Sequence, residues 1–167
     1  MKELDAEDAQ RLRAAEGWLG LGLPADAAAE LDAISPACQR HPDVLEARWT
    51  LHAHSRQWDA ALTVARELVL TAPDRASGWL HQAYALRRTA HGGLTQARDL
   101  LQPAAGAFPK EPIIPFNLAC YACQLGQLDE ARTWMKRAMK VGGRQVIRQM
   151  ALADEDLKAL WPEITEP

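Results

Sequence analysis

At 167 residues the chain is long enough for one domain with a substantial core, and its 48% hydrophobic content excludes intrinsic disorder. Alanine and leucine dominate and β-branched residues are few, a bias toward helix over strand. The formal net charge of -3 argues against broad electrostatic attraction to nucleic acid or an anionic membrane.

The opening MKELDAEDAQ is acidic and has no apolar core segment, so it does not read as a secretory signal. No uninterrupted apolar run approaches the ~20 residues of a membrane span. The 3 cysteines form an odd set without a secreted-disulfide spacing, and a reducing, cytoplasmic setting is the expectation.

Ala27, Ala61, Ala97 and Ala131 each follow a turn and open an apolar helical stripe, at intervals of 34, 36 and 34 residues. A fixed period in this range marks a stacked helical repeat. The first predicted helix, 4–21, carries Ala15 and Trp18 and ends at Gly22. Pro24 suits the first turn of 24–35, where Ala27, Leu31 and Ile34 share a face and Pro36 ends the helix early. After Pro42, helix 43–55 holds Leu45, Trp49 and His52, with Trp49 large where the phase expects a small residue. Arg56 then stands where the other repeats have glycine, which predicts a different turn.

Helix 58–71 repeats the stripe with Ala61, Ala65 and Leu68, and Pro73 stops it. Helix 75–89 places Trp79, Ala83 and Leu86 on one face. The two extra residues of the longer interval fall in RTAHGG, predicting a longer turn with Gly92 at the repeating glycine place. Helix 94–107 carries Ala97, Leu101 and Ala104, and Pro103 should kink it. Helix 112–125 has Pro115 in its first turn, then Leu118, Ala119 and Ala122, and ends at Gly126. Helix 128–141 carries Ala131, Met135 and Ala138. Beyond Gly142 and Gly143, helices at 144–151 and 154–161 would cap the stack, with Asp154 as N-cap and Leu157, Leu160 and Trp161 as contacts. The expected organisation is a single domain, 1–167, of four helix pairs at roughly 8–41, 42–75, 76–111 and 112–143, capped by 144–161.

The chemistry-bearing residues are sparse. Cys120 and Cys123 place both sulfurs on one helix face, as a thiol redox or metal pair would. No second pair supplies further zinc ligands, and no strand precedes the helix as in a thioredoxin-type site, so packing as small hydrophobes is the simpler reading. His52 and His54 point apart on a helix, and His41, His81 and His91 are unpaired in sequence. No Ser-His-Asp order, phosphate loop or zinc-protease motif is present. No cofactor or metal is expected, and the chain does not read as an enzyme. Trp18, Trp79 and Trp134 fall on the interior pattern and Trp58 opens a second helix, and core packing is the expected role for most of the 6 tryptophans. Arg132, Lys136, Lys140, Arg144 and Arg148 recur every four residues with Arg137 beside them. Gly142 and Gly143 interrupt this stripe, which reads either as a solvated face complementing a helix C-terminus or as a dock for an acidic partner.

The period and helix-turn-helix spacing resemble the tetratricopeptide repeat (TPR) family, best in NLACYACQLGQLDEA at 117–131 and then in WDAALTVARELVLTAP at 58–73. The resemblance covers roughly 8–143 and implies an all-α fold, a right-handed α-α superhelix of antiparallel pairs. It also implies a concave groove lined by the first helix of each pair. Mapped by repeat phase, that groove would contain Glu46, Thr50 and His54, then Leu80, Tyr84, Arg87 and Arg88, then Phe116, Asn117, Cys120 and Gln124. The chain has a single asparagine, Asn117, so the two-asparagine carboxylate clamp of some family members is absent. The implied function is a non-catalytic adaptor for a protein or peptide carrying an acidic element to meet Arg87 and Arg88, with no nucleic acid or membrane partner. A dedicated secretion-type or client chaperone is the alternative, followed by a thiol-based switch; the oligomeric state is open.

Overall fold

The computed structural model describes residues 3–165, and every regular element among them is helical. The chain divides into two compact units, one running up to Thr89 and the other from Ala90 onward.

The first unit contains α1 (Ala6–Gly20), α2 (Pro24–Asp32), α3 (Pro42–His54), α4 (Trp58–Thr71) and α5 (Ala76–Leu86). Asp5 caps α1 by accepting from the Asp8 backbone N–H at 2.9 Å. The Asp8 carboxylate, only 3% exposed, in turn accepts from the Ser35 backbone N–H at 2.8 Å and its hydroxyl at 2.5 Å. A buried carboxylate is tolerated only when its lone pairs are met, and here they tie the start of α1 to the segment that follows α2. Leu12, Ala15 and Leu19 of α1 pack with Ala27 and Leu31 of α2 and with Val44, Ala47 and Leu51 of α3. A second cluster joins Ala61 and Leu62 of α4 to Ala85 of α5, with Trp49 and Trp58 against it. The repeating Ala27 and Ala61 are both fully buried, as a close helix approach demands.

The turn between α3 and α4 departs from the sequence expectation. Arg56 adopts φ +54°, beside +73° at Gly22 and +76° at Gly126. In all three turns a backbone N–H reaches five residues back: Leu23 to Trp18, Gln57 to His52, and Gln127 to Ala122. That bond closes a Schellman motif, so the turn at Arg56 is the same turn, built with a side chain in the left-handed region. The surrounding hydrogen bonds and the packing of α3 on α4 hold it there against its own preference.

The second unit contains α6 (Leu94–Leu101), α7 (Ala104–Ala107), α8 (Ile113–Gln124), α9 (Leu128–Gly142) and α10 (Arg144–Leu152), then a 3₁₀ helix (Glu155–Leu160) and α11 (Trp161–Thr165). The expected kink at Pro103 is a full break between α6 and α7, because proline lacks the N–H that would continue the ladder. Gly92 is not the turn glycine of the third repeat; Gly93, at φ +145°, caps α6 instead, after the longer RTAHGG connection. Ala97 and Ala131 are fully buried like their counterparts. The predicted helix 154–161 is the 3₁₀ segment: Asp154 caps it by accepting from the Asp156 N–H at 3.0 Å. Leu157 and Leu160 are buried, and the half-buried Trp161 donates its indole N–H to the Ala151 carbonyl at 2.8 Å.

Candidate protein-binding surfaces

In the first unit, α3, α5 and the start of α4 bring together a compact aromatic and charged cluster. Trp49 and His81 stack face to face, with ring centroids 3.7 Å apart and planes 9° from parallel. Tyr84 meets Trp49 edge-on at 5.8 Å and lies 5.9 Å from Trp58. The Arg88 guanidinium sits 3.6 Å from the Tyr84 ring centre and 5.2 Å from that of Trp58. Such cation–π contacts hold a long flexible side chain against the rings.

Beneath the stack, Glu46 of α3 accepts from Ser77 and lies 2.6 Å from His81 Nε2, both on α5. Burial acts most strongly on the Glu46 carboxyl and pushes its pKa up, but the His81 and Ser77 hydrogen bonds and the charges of His81 and Arg75 outweigh it. The net result is a carboxyl below its ordinary range. Nearby, Arg75 pairs with Asp43 at 2.5 Å.

Two open clefts flank this cluster. One, about 460 Å³, is lined by Glu16, Leu19 and Gly20 of α1 and by Glu46, Ala47, Thr50 and His54 of α3. The other, about 540 Å³, is lined by Ala53, His54, Arg56, Trp58, Tyr84 and Arg88. His54 borders both. Thr50 spends its hydroxyl on the Glu46 carbonyl of its own helix at 3.0 Å. Leu80 and Arg87 are half-buried, whereas Tyr84 is a large hydrophobic left 37% exposed.

The α8 residues of the predicted groove have a different setting within the second unit. Phe116 and Cys120 are buried, at 5% and 2% exposure. Cys120 Sγ lies 3.6 Å from Asp154 Oδ2, and Gln124 donates to Asp156. The 3₁₀ segment therefore lies along this face of α8. Asn117 is half-buried.

No protein-family model matches the sequence, and no curated protein matches it. Solved structures do. A thermophilic TPR protein of Thermus thermophilus, TTC0263, superposes with a TM-score of 0.74 at 18% identity, covering 95% of this chain and 83% of that one. A crystal structure of MamA gives 0.69 at 13% identity, covering 83% and 80%. A MamA fragment from Desulfovibrio magneticus RS-1 gives 0.68 at 16% identity, covering 98% and 94%. The chain has a TPR-like fold.

Within this TPR-like fold, sequence phase selects Glu46, Tyr84 and Arg88 but misses Trp49, Trp58, Ser77 and His81 as their neighbours. Each of the missed contacts joins side chains from different helices. Glu46 and His81 are 35 positions apart, close to the repeat period, and that interval is the available signal. The three cysteines are buried and free of disulfides. Burial, aided by the Asp156 charge, pushes the Cys123 thiol up even though backbone N–H groups of Ala159 and Leu160 pull the other way. A protonated thiol is a weak nucleophile and a weak metal ligand. Among the described residues, no group of three or more His, Cys, Asp or Glu side chains is placed to hold a metal ion. Nor is any helix among them long and apolar enough to cross a membrane.

Proposed function

We propose that this TPR-like protein is a non-catalytic interaction scaffold that binds a peptide or protein segment along the α3–α5 face of its first unit. The observation that carries this reading is Tyr84, left partly exposed in the wall of the cleft that Trp58 and Arg88 also line, and braced by Trp49, Trp58 and Arg88. Tyrosine and arginine are among the residue types most enriched at the energetic centres of protein interfaces. Bracing also lowers the entropy lost when a partner docks, since the rings are already ordered. The arginines favour an acidic element in the ligand, and the rings favour an apolar anchor beside it. One short segment held this way binds in the micromolar range, about -8 kcal/mol.

The test is selection from a displayed library of random linear peptides, followed by fluorescence anisotropy with the enriched sequences. Enriched peptides should pair an aromatic or aliphatic residue with acidic neighbours. Tyr84→Ala with Arg88→Ala should weaken them about tenfold or more while far-ultraviolet ellipticity is unchanged. Unchanged binding by that folded double mutant removes the reading. A client that precipitates whenever this protein is absent would favour the chaperone alternative instead.

A further inference from the structure

From Ala131 to Ala153 the chain carries six basic residues and no aspartate or glutamate, in a molecule whose net charge is -3. On the sequence pattern alone, Gly142 and Gly143 should scatter this cationic run. Gly143, at φ +87°, does separate α9 from α10. Yet Arg132, Lys136 and Lys140 of α9 and Arg144 and Arg148 of α10 line one cavity of about 520 Å³. Its apolar lining is Met135, Met139, Leu160 and Ile164. Met135, Leu160 and Ile164 are buried, and Met139 is half-buried.

The sole carboxylate among the lining residues, Glu163, is committed. It accepts two bonds from Arg132 Nε, at 3.1 and 2.8 Å, and one from Nη2 at 2.7 Å. Arg132 also reaches Asp129 at 2.6 Å, and Arg148 donates to the Thr165 carbonyl at 2.5 Å. Lys140 and Arg144 are exposed and make no ion pair among the described residues. The cavity thus holds a surplus of positive charge over an apolar floor.

The geometry points to a docking site for an acidic amphipathic protein segment, in which carboxylates meet Lys136, Lys140 and Arg144 and an apolar side chain enters between Met135 and Met139. Spacing decides between a segment and a small anion. Arg132, Lys136 and Lys140 are spread over about 12 Å of helix, farther than one carboxylate or phosphate can bridge. A segment with acids every fourth residue repeats the same spacing. The floor is methionine and aliphatic, with the adaptability that suits varied apolar anchors. It offers no aromatic platform for nucleic-acid bases. This inference stands apart from the Tyr84 reading, because all its residues lie in the second unit.

The experiment uses the full chain and a fluorescein-labelled peptide of about sixteen residues with Glu at every fourth position and Leu between, long enough to span the cationic row. Saturable anisotropy is expected in the micromolar range, weakening as salt rises. The same peptide with Gln for Glu should bind at least about tenfold more weakly. Lys140→Glu with Arg144→Glu should cause a comparable loss with unchanged ellipticity, since both side chains are exposed, and Arg13→Glu with Arg66→Glu, which reverses two exposed cations outside this cavity, should cause none. The proposal is overturned if the Gln peptide binds equally well, or if the charge-reversed protein retains full affinity. It is equally overturned if a single-stranded oligonucleotide or an anionic phosphatidylserine vesicle is bound in preference, or if the reversal instead abolishes self-association seen by sedimentation.

Discussion

Glu46 shows how one residue can link packing to acidity. Its carboxyl lies below the ordinary range because His81, Ser77 and Arg75 favour the ionised form despite burial. A group with a lowered folded-state pKa stabilises the native state above its unfolded value and loses that contribution as pH falls through the folded value. Glu46→Gln should therefore lower the melting temperature at neutral pH, and the gap from wild type should close only as pH falls through the lowered folded-state value. A gap independent of pH would mean that shape rather than charge matters there. The neighbouring Trp49 makes a second case. Its indole N–H is buried with no hydrogen-bond partner among the described residues. An unmet buried donor costs ~1–3 kcal/mol, partly offset here by the ring's stacking on His81. Trp49→Phe keeps a ring and removes the donor, so a thermal melt should show it neutral or slightly stabilising, whereas Trp49→Ala should lose ~3–5 kcal/mol.

The helical hairpins depend on a turn repeated in three places, and Arg56 is its weak member. Replacing it by glycine releases the left-handed strain, so Arg56→Gly should raise stability by ~0.5–1 kcal/mol in denaturant titration. Arg56→Ala keeps the Cβ and should gain little, which separates backbone strain from loss of charge. The limits of sequence reading are visible at this same turn. Arg56 breaks the glycine pattern, so composition predicts a new geometry; the hydrogen bonds of the flanking helices impose the old one. Helix positions themselves are legible, because Ala27, Ala61, Ala97 and Ala131 mark a steric requirement that recurs with the period. The 3₁₀ segment over α8 reads as an α-helix in sequence, since so short an element has no periodicity to distinguish it. Its cover over Cys120 and Gln124 is illegible for the same reason as the Trp49–His81 stack. Both are contacts between elements far apart in sequence, and phase alone does not report which side chains meet.

At the level of the whole chain, a single cooperative fold remains our proposal. Repeats that pack only on their neighbours unfold together when coupling between neighbours exceeds the instability of each alone. Far-ultraviolet ellipticity and tryptophan fluorescence should then trace one coincident transition in urea. Two separated transitions would instead divide the molecule near Thr89 and Ala90, where its compact units meet in sequence.

Cys38 belongs to the first unit, and Cys120 and Cys123 to the second, and all three thiols are shielded from solvent. An alkylating reagent reaches such a sulfur only when the surrounding structure transiently opens. The native sequence therefore carries its own chemical clocks. Following each cysteine's modification by peptide mass over time would rank the breathing rates of the two halves, with no label engineered into either.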